Sequence, residues 1–187
     1  MAEGFKPAPF DVVDASRRVW AQRWDGRSAS GNAVFTSILR THQMLMHDVD
    51  AVMKRHDLTF TRYQVLTWLM AEPDSARALS WISAVLRLPP ATVTNLIDRL
   101  ESDALVRRVP HPTDARTTLA ELTERGRELA HRATEDLNDG VYRPLALDED
   151  ARSDLLRVLD SLRARGGEFD VDRSPDLIDR LEAHRAP

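Results

Sequence analysis

The sequence predicts a mainly α-helical protein with a small β-wing, that is, a winged helix-turn-helix with further helices on both sides. Three observations carry this. Glycine is scarce, seven in 187 residues, and long stretches repeat apolar residues with a 3.6-residue period. Between Leu58 and Arg132, two short helical patterns meet at the Leu88-Pro89-Pro90 turn. Two short β-like runs with an arginine-bearing tip follow, and then a new helix begins. That order suits one helix to a DNA major groove and the wing to the backbone or minor groove.

The elements follow in order. Residues 9–24 read as a first helix with Val12, Val13, Val19 and Trp20 as apolar positions, broken by Asp25-Gly26-Arg27-Ser28. A long helix over about 31–56 carries Val34, Phe35, Ile38, Leu39, Leu45, Met46, Val49, Val52 and Met53 at helical spacing. Thr59 or Thr61 caps the next helix, which carries Tyr63, Val65, Leu66, Trp68 and Leu69 and stops at Glu72-Pro73. Residues 79–87 form a short helix with Trp81, Ile82, Val85 and Leu86 inward. Pro90 then opens a helix over about 90–103, at the position where proline misses no hydrogen bond. Val93, Leu96, Ile97 and Leu100 form its core stripe.

Leu105–Val109 and Thr117–Leu122 are the β candidates, joined by the turn-rich tip Pro110-His111-Pro112-Thr113-Asp114. Thr123 caps a helix to about Leu137, interrupted near Gly140 and Pro144. Asp148 caps the last strong helix, with Leu155, Leu156, Val158, Leu159 and Leu162 as its stripe, and Gly166-Gly167 ends it. The polar tail that follows, with Leu177, Ile178 and Leu181 as its apolar cluster, reads as a short helix or as a partly ordered segment.

Composition narrows the function. The chain has no cysteine, which removes disulfides, cysteine–zinc sites and thiol chemistry. No apolar run approaches the ~20 residues of a membrane helix, and no secretory signal opens the chain, so a cytoplasmic protein without a membrane partner is expected. No phosphate-binding glycine loop, metal-binding histidine pair or nucleophile motif is present, so neither an enzyme nor a bound cofactor or metal is expected. His42 and His47 are five apart and do not share a helix face. Net charge is −4, yet between Leu105 and Ala120 three arginines, Arg107, Arg108 and Arg116, face only Asp114. A small basic patch suffices when two subunits each supply one.

The 90–103 helix presents Ala91, Thr92, Thr94, Asn95, Asp98 and Arg99 outward. Short polar side chains let a helix approach base edges. Asn95 suits adenine, Thr92 and Thr94 suit phosphate or a thymine methyl, and Arg99 suits phosphate. At the wing tip, Arg116 can enter the minor groove, with Asp114 holding its guanidinium or pinning the hairpin. A solvated helix face and a surface ion pair are the bland alternatives. The neighbouring turn and wing argue against them.

The run LTFTRYQVLTWLM…LSWISAVLRLPPATVTNLIDRLESDALVRRVPHPTDARTTLAELTERGREL resembles the MarR family of bacterial transcriptional regulators. The carriers are Pro90–Leu100, the D-x-R wing motif Asp114-Ala115-Arg116, and the L-T-x-x-G run Leu122-Thr123-Glu124-Arg125-Gly126. Two departures stand out. Asp103-Ala104 replaces the family's glycine after the recognition helix, and Ala115 replaces a common arginine. The resemblance implies a homodimeric repressor of its own and neighbouring genes, binding a palindromic double-stranded operator through Pro90, Ala91, Thr92, Thr94, Asn95, Arg99, Thr113, Asp114 and Arg116. It also implies a helical dimerisation region. The organisation is then 1–57 for dimerisation and a ligand pocket, 58–125 for DNA binding, 126–165 for dimerisation, and 166–187 as tail.

Family members commonly release DNA on binding a small aromatic or anionic effector. Trp20, His42, Gln64 and Arg108 are the candidate contacts here. Tyr63 and Trp68, on the same helix as Gln64, also offer aromatic surface; core packing is the competing role for Trp68, and an interface position for His42. The first helix also resembles the urate-responsive branch. Trp20 and Arg108 match two of its positions, whereas Gln64 stands where that branch has an acid, which argues against urate itself. The competing function is a winged-helix protein acting mainly through protein–protein contact.

Overall fold

The computed structural model describes residues 7–71, 76–114, 116–145 and 147–168. The chain order is α1 (Val12–Ala21), α2 (Gly26–Arg55), α3 (Phe60–Ala71), β1 (Ala76–Ala78), α4 (Leu79–Leu86), α5 (Pro90–Ser102), β2 (Val106–Pro110), β3 (Thr118–Leu122), α6 (Glu124–Leu137) and α7 (Glu149–Arg165). A π turn at Asn138–Tyr142 and a 3₁₀ turn at Arg143–Leu145 follow α6, where Gly140 and Pro144 disturb its period. The apolar tail positions Leu177, Ile178 and Leu181 lie outside the described residues, as does the stop at Glu72-Pro73.

Caps fix most of the boundaries. Asp11 accepts the Val13 and Asp14 amides, so α1 starts at Val12 rather than at residue 9. Asp25 accepts the amides of Arg27 (2.9 Å) and Ser28 (3.0 Å), so α2 starts at Gly26, five residues before the expected start near residue 31. The predicted breaker is therefore a cap. Thr59 is the residue that caps α3, accepting the Arg62 amide at 3.3 Å. Thr123 and Asp148 cap α6 and α7 as expected.

The sheet was only partly foreseen. β2 and β3 pair antiparallel with Arg107 opposite Glu121, and β1 adds to the other edge of β3, giving the order β1-β3-β2. Ala76-Arg77-Ala78 has no β-branched or aromatic residue to announce a strand, so tertiary pairing alone creates β1.

The core lies where α2, α3, α5, α6 and the sheet meet. Met53, Leu66, Leu69, Val93, Ile97, Leu100 and Leu137 are buried in it. Tyr63 is also buried and shares a 3.0 Å hydrogen bond with the Thr134 hydroxyl on α6. Trp68 meets Trp81 edge to face, with centroids 5.9 Å apart.

One junction holds the wing to α6. Gly126 lies so close to the segment between α5 and β2 that a Cβ there would sit 2.1 Å from the Leu105 carbonyl oxygen and 2.8 Å from Leu122 Cδ1. That oxygen accepts the Thr123 amide (3.1 Å), and Thr123 Oγ1 reaches it at 3.0 Å. The L-T-x-x-G run is thus a structural splice, in which glycine is needed for the close approach.

Outside the core the burial pattern changes. α1 packs on α2 over the buried Ala29, and Ser16 donates to Asn32 at 2.7 Å. Val34, Phe35, Ile38 and Leu39 on the first half of α2 remain exposed, Phe35 by 67%. Leu155, Leu156, Val158 and Leu162 on α7 are also exposed, and α7 contains no buried residue. No helix among the described residues is long and apolar enough to cross a membrane.

Candidate nucleic-acid interface

Recognition geometry begins at the turn between α4 and α5. Arg87 takes the left-handed conformation at φ 52°, and the Leu88 amide returns to the Ser83 carbonyl at 3.1 Å. The Ser83 hydroxyl donates to the Leu88 carbonyl at 2.6 Å, closing the turn from the other side. Pro90 then starts α5 with no side chain capping it. The first-turn amides stay open to a phosphate, which the helix dipole also favours.

α5 divides cleanly. Val93, Ile97 and Leu100 are fully buried, whereas Ala91, Thr92, Thr94, Asn95, Asp98 and Arg99 are exposed. The expected face is therefore the solvent face. Asn95 and Arg99 have no side-chain hydrogen bond or ion pair among the described residues, so their full donor sets are available. Thr94 differs: its hydroxyl donates to the Pro90 carbonyl at 3.1 Å, leaving its methyl and lone pairs to meet a ligand.

The wing tip is built around Asp114. Its carboxylate accepts the Arg116 amide at 3.0 Å and the Thr117 hydroxyl at 2.7 Å, while its carbonyl accepts the Thr117 amide at 3.0 Å. The Thr117 hydroxyl, then the Arg116 amide, hold the Asp114 carboxyl below its ordinary value. Of the two roles considered for Asp114, the structure shows pinning of the hairpin. Arg116's guanidinium has no partner among the described residues and is exposed. Thr113 is exposed beside it, its amide donating to His111 Nδ1 at 3.3 Å.

The other two wing arginines are engaged. Arg107 makes a two-pronged pair with Glu121 directly across the hairpin, both contacts at 2.8 Å. Arg108 donates its backbone amide to Glu101 at 2.9 Å, and its guanidinium contacts Glu101 and also Asp98, the latter at 2.6 Å. The Arg108 amide, then its guanidinium, lower the Glu101 carboxyl. Among the described residues, the local patch read from composition thus reduces to one unpaired cation, Arg116. Arg108 instead straps β2 to α5 and neutralises Asp98 on the reading face. Sequence reasoning missed Asp98 and Glu101 as its partners. Their three-residue spacing on α5, one turn apart, was the available signal.

The remaining ligand candidates occupy separate surroundings. Trp20 stacks on Trp24 with ring centroids 4.6 Å apart. His42 is exposed on α2, and Gln64 is half-buried on α3. Neither these three nor Arg108 lines the cleft bounded by Arg62, Asp103, Arg125 and Arg132.

With this geometry in place, similarity to known proteins becomes informative. The MarR family model matches residues 56–117. Sco5413, a MarR family transcriptional regulator from Streptomyces coelicolor with a crystal structure, is 37% identical. The match covers 75% of this chain and 98% of that one, with a TM-score of 0.67. The chain belongs to the MarR family. Among curated relatives, the HTH-type transcriptional repressor IacR of Pseudomonas putida is 30% identical over 101 residues, covering 54% of this chain and 59% of IacR. The transcriptional regulator MhqR of Bacillus subtilis is 29% identical over 93 residues, covering 50% and 63% respectively. The chain thus spans about three-fifths of these curated relatives. They are regulators of transcription, not enzymes.

Proposed function

We propose that this MarR-family chain is a sequence-specific DNA-binding repressor of its own and neighbouring genes, acting as a homodimer and relieved by a small aromatic or anionic ligand. The observation that carries the DNA-binding reading is the pairing of a small, polar α5 face, whose Asn95 and Arg99 side chains have no partner among the described residues, with Arg116, its guanidinium likewise unpartnered among them, at a hairpin tip pinned by Asp114. Asn95 reads a base edge from α5, Thr92 meets phosphate or a thymine methyl, Thr94 offers its methyl to a thymine methyl, and Arg99 takes a phosphate. Pro90 and Ala91 allow close approach at the start of α5. Arg116 enters the minor groove beside Thr113 and Asp114.

The dimer is formed by residues 1–57 and 126–165 around the winged unit at 58–125. Support comes from the exposed apolar stripes of α2 and α7, because apolar side chains gathered on one exposed helix face mark a surface for association. A twofold axis through that region sets two α5 helices about one DNA turn apart on a palindromic operator. Trp20 with its stacked partner Trp24, His42 and Gln64 are the candidate aromatic and polar contacts for the ligand.

The test is a binding titration at stated salt. Asn95→Ala is expected to relax preference at one base step by about 1–3 kcal/mol. Arg116→Ala is expected to weaken binding to all sequences and to reduce its salt dependence. Unchanged DNA binding in both variants, with the fold intact, leaves the protein–protein reading in its place.

A further inference from the structure

A cleft of about 510 Å³ opens between the end of α2, the start of α3, the segment after α5, and α6. Its walls carry Arg55, Arg62, Arg125 and Arg132 against Asp57 and Asp103, a local positive excess on a chain of net charge −4. Several of its donors are under-used. Arg62, with only 14% of its side chain exposed, pairs with Asp103 and donates to the Asp57 carbonyl at 3.4 Å, yet its Nε is buried with no hydrogen-bond partner among the described residues. Arg125 has no ion pair among those residues, and Arg132 approaches Glu128 only to 4.0 Å. Arg125 and Arg132 stand seven apart on α6 and so share one face. Arg55 differs, since Asp136 holds it at 3.1 Å together with His56 at 3.0 Å.

The geometry points to a binding site for a phosphate-bearing small molecule, held by Arg62, Arg125 and Arg132, that serves as an effector site of the regulator. Three guanidiniums with spare donors suit a tetrahedral dianion, whose oxygens accept from several directions at once. A planar carboxylate is satisfied by one or two forks. The volume fits a small organic phosphate. A DNA phosphate is the wrong occupant. Asp103 lies twelve residues from Ala91, and at ~1.5 Å per residue the cleft sits roughly 18 Å along α5 from its reading end. The link to regulation is Asp103, the residue that ends α5 and the partner of Arg62. A phosphate that captures Arg62 releases this tether between α3 and the recognition helix. The regulatory half rests on the DNA-binding proposal, and the binding half does not.

The experiment titrates the full chain with inorganic phosphate at constant ionic strength, following heat of binding and melting temperature, with citrate as the carboxylate comparison. The wild type is expected to bind phosphate saturably and more tightly than citrate. The double variant R125Q/R132Q, altered only at partly solvated positions, is expected to bind it at least tenfold more weakly. Its DNA affinity without phosphate is expected to match the wild type. Saturating phosphate is expected to weaken DNA binding at least fivefold in the wild type only. Absent or undiminished phosphate binding in the variant, or tighter binding of citrate, overturns the site. Weaker DNA binding by the variant without phosphate marks the cleft as a DNA contact and also overturns it. If the chain binds no DNA, the phosphate titration still decides the site while the DNA-binding proposal fails separately.

Discussion

Gly126→Ala and Gly31→Ala add the same methyl group to two helices, and the structure expects opposite signs. At Gly126 the new Cβ lies 2.1 Å from the Leu105 carbonyl oxygen, a backbone atom with no rotamer by which to withdraw. Reaching ordinary contact at 3.4 Å needs a shift of roughly 1.3 Å. That shift breaks or strains the Thr123 amide bond to Leu105 and the Thr123 hydroxyl bond, its one proton shared between the Ala104 (2.8 Å) and Leu105 (3.0 Å) carbonyls, each contributing about 1 kcal/mol, and the Thr123 cap on the Gly126 amide, worth about another 1 kcal/mol. Alanine returns up to about 1 kcal/mol in helix propensity. The net expectation is a loss of about 2 kcal/mol, or roughly 4–8 °C in melting temperature for a chain of this size. Gly31 on α2 has nothing within 4 Å of its ideal Cβ, so alanine there is expected to gain about 0.5–1 kcal/mol. Urea unfolding at one fixed protein concentration measures both, so that any self-association affects the two variants alike. Equal signs for the two substitutions would contradict the close-approach reading of the L-T-x-x-G splice.

Three further outcomes follow from the same geometry. Ala104 sits at φ 57°, in the left-handed region that favours glycine, so Ala104→Gly is expected to stabilise the fold by about 0.5–1 kcal/mol in the same unfolding assay. Arg108→Ala exposes the Asp98 and Glu101 carboxylates near a DNA backbone. It is expected to weaken binding to all sequences by roughly 1–2 kcal/mol in a fluorescence titration, with Arg108→Lys only partly restoring it because lysine cannot form the same fork. The Asp114 carboxyl is lowered in the folded state, so its contribution to the wing tip is present above its ordinary value of 3.8 and is lost as pH falls through the lower folded value. Amide NMR shifts of Arg116 and Thr117 should report that loss in the wild type and show none in Asp114→Asn.

Much of this was legible in the residues because local chemistry and global fold agree. The α5 stripe is one example: Val93, Ile97 and Leu100 repeat at helical spacing after a proline start, and the face left over is the exposed one. Thr123 and Asp148 likewise cap the helices they precede. What escaped detection depends on long-range pairing. β1 is a three-residue Ala-Arg-Ala segment whose strand character comes from β3 alone. Arg107 and Arg108 counted as free charge until the hairpin register set Arg107 against Glu121 and the α5–β2 contact set Arg108 against Asp98 and Glu101. The cleft beside Arg62 joins residues from four separate segments, and no sequence window contains them together.

The central claim is that α5 and the wing tip read DNA as a symmetric pair. Its most direct test is selection of bound fragments from the source genome by the folded full chain at fixed, stated salt, followed by sequencing, with Asn95→Ala run in parallel. A palindromic motif with half-sites about one helical turn apart, relaxed at one base step by Asn95→Ala, is the expected result. No enriched motif from a folded protein, or a motif unmoved by Asn95→Ala, would contradict it.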